Sequence, residues 1–176
     1  MDILEGGQGI SLRRLSIEDL KEVKIVYENN PKFFELLFGE KDVPMEYIVS
    51  EIVEGPPNFD KNKEYFMGIY LKENHHMIGV ADFLVSYPEE GKGCFGLLLL
   101  SEQYQDKGFG KKTVELVEKW AFEGFGVRKI TLGVELVNNR AHNFWQRCGY
   151  IPTGEISENR VMGVNLDTEK FIKVLK

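Results

Sequence analysis

Cysteine is scarce in this chain, with Cys94 and Cys148 the two among 176 residues. Two cysteines cannot build the disulfide framework of small secreted folds, and both stand in apolar surroundings, which reads them as reduced core residues. There is no C-x-x-C pair, and His75, His76 and His142 have no ligand spacing, so no metal site is expected. Long apolar runs are missing too: nothing approaches the ~18 residues of a membrane span. The opening MDILEGGQGI is acidic where a secretory leader is basic and then greasy. A cytoplasmic setting without a membrane partner is the expectation. Excess positive charge is also lacking. With a formal net charge of -6, the chain shows no sign of the basic face of a nucleic-acid binder, and its acidic balance fits solubility first and a cationic partner second. Repeats, biased tracts and linkers do not occur, so residues 1–176 are read as a single domain.

What is present alternates between two periods. GISLRRL suits a first strand, and SIEDLKEVKIVYENNP a helix with Ser16 as N-cap, Asp19 completing a variant capping box and Pro31 as the stop. PKFFELLFGE reads as a short aromatic-rich helix, PMEYIVSEIVEG as a third helix opening on proline, and GPPNFDKNK as a loop. The period then shifts to two: EYFMGIYLKE, MIGVADFLVSY and CFGLLLLS read as antiparallel strands joined by the turns NHH and PEEGKG. After Gly110, apolar residues recur at Val114, Val117 and Ala121, a helix that ends at GFG. RKITLGVELV is a strand, NNRAHNFWQRCG a short helix closed by Gly149, and YIPTGEISENRVMGVNL a hairpin.

Three glycine-rich stretches compete as phosphate sites. GKGCFG fits G-x-G-x-x-G on paper but runs from a turn into a strand, whereas the dinucleotide fingerprint leaves a strand and opens a helix. GFGKKT is similar to a P-loop, yet Gln105 stands where the first glycine belongs and Lys112 where Ser or Thr should hold magnesium. QDKGFGKK, after the strand FGLLLL, is the third. Its glycines let a ligand approach the backbone of a helix start. Lys111 and Lys112 in the first turn oppose the helix dipole unless an anion lies there. The plainer alternative is a turn that needs positive φ, with its lysines in solvent.

Two motifs carry a resemblance. QDKGFG matches, with Gln105, Gly108 and Gly110, the Q/R-x-x-G-x-G/A loop of the GNAT superfamily of acetyl-coenzyme A dependent N-acetyltransferases. NNRAHNFWQRCGY is similar to that family's second signature through Asn138, Ala141, Phe144, Gly149 and Tyr150. The order of elements fits along nearly the whole chain. The resemblance implies an α+β fold: a central, mixed but mostly antiparallel twisted sheet of about seven strands, splayed between strands four and five and flanked by helices. It implies acetyl-CoA as cofactor, with the pantetheine arm on main-chain groups of Leu98 and Leu100. The pyrophosphate would rest on amides from Gln105 through Asp106, Lys107, Gly108, Phe109 and Gly110 to Lys111, and Asn138, Phe144 and Trp145 would lie beside the arm.

It implies, too, direct acetyl transfer in a ternary complex to a primary amine, on a small molecule or peptide and cationic by slight preference, by a monomer or homodimer. Many members place an acidic tyrosine where this chain has Trp145; an indole is no useful acid, so none is assigned. For the base, Asp82 is the lone acid in MIGVADFLVSY, between apolar faces that would bury it and raise its pKa. The alternative is an acid satisfied by backbone or by an arginine. Glu135, in LGVELVNN, is the second candidate. Phe33 and Phe34, with Tyr27 and Phe38, fall where this family lines its acceptor side, against the plainer reading as core. His75 and His76 read as exposed turn residues and His142 as a surface helix residue. Two other classes stay open, a non-catalytic acyl-CoA binding module and an interaction protein on the same scaffold; the intact Gln105, Gly108 and Gly110 argue against the latter.

Overall fold

In the computed structural model, which describes residues 3–5, 9–161 and 163–176, the two periods become eight strands and five α-helices among those residues. The acidic opening stretch falls partly outside them, at residues 1, 2 and 6–8, as does Met162 in the final hairpin. Strands β1 (Ile3–Glu5) and β2 (Ile10–Arg14) lead to α1 (Leu20–Glu28), α2 (Pro31–Phe38) and α3 (Met45–Val53). Then come β3 (Glu64–Leu71), β4 (Met77–Val85), β5 (Lys92–Leu100), α4 (Phe109–Phe125), β6 (Lys129–Glu135), α5 (Asn139–Arg147), β7 (Ile151–Val161) and β8 (Val164–Val174).

One sheet holds all eight strands in the order β1-β2-β3-β4-β5-β6-β8-β7. Every neighbouring pair is antiparallel except β5–β6. The expected mixed, mostly antiparallel sheet flanked by helices is what forms; the extra strand is β1, whose three residues pair with Ser11 to Arg13. The splay therefore falls between the fifth and sixth strands of this chain. Their parallel register runs from Lys92↔Lys129 only to Phe95↔Leu132, while β5 continues to Leu100 and β6 to Glu135.

Each face of the sheet buries its own core. On one, Val114, Val117, Trp120 and Ala121 of α4 and Trp145 of α5 pack on Leu12, Ile69, Phe83, Phe95 and Phe171. On the other, Val23, Val26 and Tyr27 of α1, Phe34 of α2 and Ile48 and Ile52 of α3 pack on Phe66, Tyr70, Val80 and Leu99. The spacing of apolar residues expected for α4 is thus its buried face, and Gly126, at φ 67° with its amide on the Phe122 carbonyl, ends it. The capping box also forms: the Ser16 side chain accepts from the Glu18 amide while Asp19 reaches back to the Ser16 amide at 2.9 Å, on a turn of 3-10 helix that runs into α1. Ser16→Ala should lower unfolding free energy by about 1 kcal/mol in urea titration.

Candidate active site

Where β5 leaves β6, its outer edge is exposed to the gap. The Ser101 amide donates to Ile78 of β4 at 2.9 Å, and strand groups alternate direction, so Leu99 faces β4 while Leu98 and Leu100 turn their main-chain groups toward the gap. The β4–β5 register skips one residue between Asp82↔Leu97 and Phe83↔Phe95, leaving Gly96 as a β-bulge. A Cβ on Gly96 would stand 2.2 Å from Asp82 Oδ2, so the glycine makes room for that carboxylate.

Beyond Leu100 a 3-10 turn at Glu102–Tyr104 leads to Asp106, at φ 58°, and to Gly108, at φ 84°, the N-cap of α4. No side chain caps that helix and its first turn carries no acid. Its first intrahelical bond runs from the Lys112 amide to the Gly108 carbonyl, which leaves the amides of Phe109, Gly110 and Lys111 without helical acceptors. A Cβ on Gly108 would meet nothing within 4 Å, so the space before these amides is open. Gly110 instead lies against the Phe144 ring, where a Cβ would come to 3.0 Å. Lys111 lies 3.8 Å from Glu115, Lys107 extends over the Tyr104 ring, and Asp106 pairs with Arg140 of α5 at 2.7 Å.

Two expected cofactor contacts are engaged within the protein. The Gln105 amide donates to the Glu102 carbonyl, and its side chain turns inward to Leu100 O at 2.6 Å and Asn30 Oδ1 at 2.9 Å. Gln105 thereby ties the loop to the end of α1, and it also occupies the Leu100 carbonyl. Asn138 caps α5, its Oδ1 accepting from the Ala141 amide at 3.1 Å. Trp145 is buried among Phe95, Phe144 and Tyr150, with ring centroids 5.0 to 5.2 Å away.

The two candidate bases stand on different strands. Asp82 is enclosed on the α1–α3 side of the sheet, its Oδ1 buried and without a partner among the described residues. Burial first, then the like charges of Glu64 and Glu51, push its pKa up to about 8, against a smaller opposing pull from Lys61. Of the two satisfying partners foreseen for it, backbone or arginine, a backbone hydrogen bond from Phe83 reaches the carboxyl but leaves Oδ1 unpaired, and no arginine meets it among the described residues. Glu135, at the end of β6, is also raised by burial, but Asn138 and His142 favour its charged form, and it lines a separate cavity of about 610 Å³ with Val137, Glu158, Arg160 and Asp167.

Phe34 is a core residue, 1% exposed and stacked on Tyr27 at 5.4 Å, which favours the plainer of its two readings; Phe33 is half-buried beside it. His142, read as a surface helix residue, is half-buried on α5, its ring 3.2 Å from the Glu135 carbonyl and 3.7 Å from Glu169. Sequence reasoning missed Glu51 and Glu64, whose charges act on Asp82. Tyr47 and Glu51 share one side of α3 by their spacing of four, and an acid inside YIVSEIV was the available signal. Among the described residues no group of His, Cys, Asp and Glu is arranged to hold a metal, and no helix is long and apolar enough to cross a membrane.

The profile of the acetyltransferase (GNAT) family matches residues 25–150. No curated protein matches the chain in sequence. Solved structures match it in fold. An acetyltransferase from Thermus thermophilus is 23% identical with a TM-score of 0.71, over 94% of this chain and 97% of that one. A spermidine N-acetyltransferase from Vibrio cholerae, in complex with CoA and spermine, is 19% identical with a TM-score of 0.71, over 96% of each chain. A GCN5-related N-acetyltransferase from Brucella melitensis is 18% identical with a TM-score of 0.78, over 98% of this chain and 78% of that one.

Proposed function

Because the chain belongs to the GNAT family of acetyltransferases, we propose that it transfers the acetyl group of acetyl-CoA to a primary amine brought up to Asp82, with both held at once. The observation that carries this reading is the unpartnered Asp82 Oδ1 at the Gly96 bulge, beside the β5 edge that has parted from β6. Residues on that edge fit the cofactor. The open space before Gly108 and the unpaired amides of Phe109, Gly110 and Lys111 suit a pyrophosphate, whose charge the Lys107 and Lys111 side chains complement. Main-chain groups of Leu98 suit the amides of the pantetheine arm, with Phe144 and the capped Asn138 walling the far side. Gln105 acts by fixing the loop. Bound there, acetyl-CoA supplies an acyl thioester open to attack by an amine.

Asp82 accepts a proton at Oδ1 from the incoming ammonium, which leaves a neutral amine able to attack. Trp145 donates no proton from its core position; as the carbon–sulfur bond broke, the second proton given up by the attacking nitrogen would pass through water to the departing thiolate, whose ordinary pKa of ~8.5 makes it a tolerable leaving group. A neighbour in fold that acetylates spermidine supports an amine acceptor. Titration calorimetry with acetyl-CoA, followed by thiol-release assays across an amine panel, tests the proposal. Binding and release are the expected results. Tight binding with no release from any amine would make the chain an acyl-CoA binding module, and no heat at all would remove the cofactor site.

A further inference from the structure

Polar atoms buried without a partner are rare, and each raises the question of what meets it. Among the described residues such atoms are Tyr27 Oη, Glu64 Oε2, Asp82 Oδ1 and Tyr150 Oη. Three of these four gather on the α1–α3 side of the sheet. Tyr27 is 1% exposed and Glu64 4%. Asp82 feels the charges of both Glu64 and Glu51, Glu51 feels Glu64 and both the Tyr27 and Tyr47 hydroxyls, and Tyr27 feels Asp82, which brings groups from α1, α3, β3 and β4 into one chamber.

The cation count falls short of the acids. Lys61 Nζ stands 3.0 Å from Glu64 Oε2, an ion pair without hydrogen-bond geometry, and Arg14 reaches the Glu64 carbonyl rather than its carboxyl. Three carboxyls face one ammonium, so two of them have no cation beside them. Beside them runs a wall of rings, with Tyr27 and Tyr47 centroids 6.4 Å apart and Phe38 and Tyr47 6.1 Å apart. Carboxylates next to aromatic faces are what an alkylammonium selects.

We propose that this chamber binds an acceptor bearing a second protonated amine. One ammonium lies at Asp82 beside the Gly96 bulge, and the other, a short methylene chain away, lies among Glu51, Glu64 and the Tyr27 hydroxyl. The methylenes run along Phe38 and Tyr47. The fate of the first amine rests on the acetyl-transfer reading, but binding of the dication does not. Two ammonium groups supply the missing cations and donors to the unpartnered oxygens. The Asp82 carboxyl, which burial holds protonated up to about 8, gives up its proton as the dication enters, so affinity rises with pH through about 8. An acidic or phosphorylated acceptor meets like charge and is excluded.

Calorimetric titration with 1,4-diaminobutane against butylamine, with and without coenzyme A, tests the chamber. The diamine should bind at least tenfold tighter than the monoamine, and its heat should depend on the ionisation enthalpy of the buffer as protons are released. Glu51→Gln should bring the diamine-to-monoamine affinity ratio close to one, and Tyr47→Phe, the milder change should Glu51→Gln unfold the protein, should reduce it severalfold. Equal affinity for the two amines, no binding of either, or an unchanged ratio in both variants would overturn the chamber. A diamine that binds tightly yet never triggers thiol release would leave the chamber standing and overturn the transfer reading instead.

Discussion

Gly108→Glu is expected to weaken acetyl-CoA binding at least a hundredfold, about 2.7 kcal/mol, while the protein still unfolds in one cooperative step. The two effects separate because of where Gly108 sits. Its φ of 84° costs a side chain roughly 1–2 kcal/mol of backbone strain. Yet an added Cβ touches no protein atom within 4 Å, so the side chain projects into the space before α4. A carboxylate there is tolerated by the helix itself, whose N-terminal end favours negative charge. A bound pyrophosphate would meet the same carboxylate as a competitor for the Phe109, Gly110 and Lys111 amides. Gly108→Ala carries the strain without the charge and should keep most of the affinity. Calorimetry on the two variants checks the pair, and a Glu variant that binds as well as the parent protein would dismiss the anion site.

Asp82→Asn should lower kcat/KM by roughly 10²–10⁴ and remove a pH dependence. With its carboxyl pushed up to about 8, Asp82 is an active base only once deprotonated. The rate of the unaltered protein should therefore climb tenfold per pH unit below 8 and level off above it. The amide cannot take a proton at any pH, so its residual rate should lose that climb. Stability should move the opposite way. The unfolded carboxyl loses its proton near its ordinary value of 3.8, the folded one near 8, so stability from this group is whole below 3.8 and erodes as pH rises through that window. Asp82→Asn should then melt above the parent protein at pH 8, a gain in stability at the expense of chemistry. An intact pH profile in the variant would take the base from Asp82, and Glu135 would be next to test.

The parts legible in the sequence were those whose physics is local. QDKGFGKK revealed a helix start because glycines and misplaced lysines sit side by side, and Asp82 stood out as one acid in an apolar strand. Gly96 hinted at nothing until the register was known, since only pairing with β4 shows the skipped residue. The Ile3–Glu5 strand is too short to display a period and exists through its partner β2. Phe33 and Phe34 are neighbours in sequence, and only the packing of α2 against Tyr27 tells the half-buried ring from the core one. Gln105 matched its motif, but the inward turn of its amide depends on Asn30, 75 residues away. Glu51 and Glu64 escaped because one stands on a helix and the other on a strand, and the chamber arises only where the two elements meet.

The sheet order also governs how the chain can assemble. β8 lies between β6 and β7, so β7, though made earlier, has no sheet partner other than β8 among the described strands. The hairpin of β7 and β8 can form from neighbours in sequence, within microseconds for such a motif. It joins the rest only when Phe171 and its strand dock along β6 from Lys129↔Val174 to Glu135↔Thr168. Until that docking, β6 is held by its four-residue parallel seam to β5 alone, a long-range pairing that closes slowly. Completion of the fold is therefore expected to wait on the late strand, with the wall of the gap opposite β5 among the last surfaces to gain protection in hydrogen-exchange labelling during refolding.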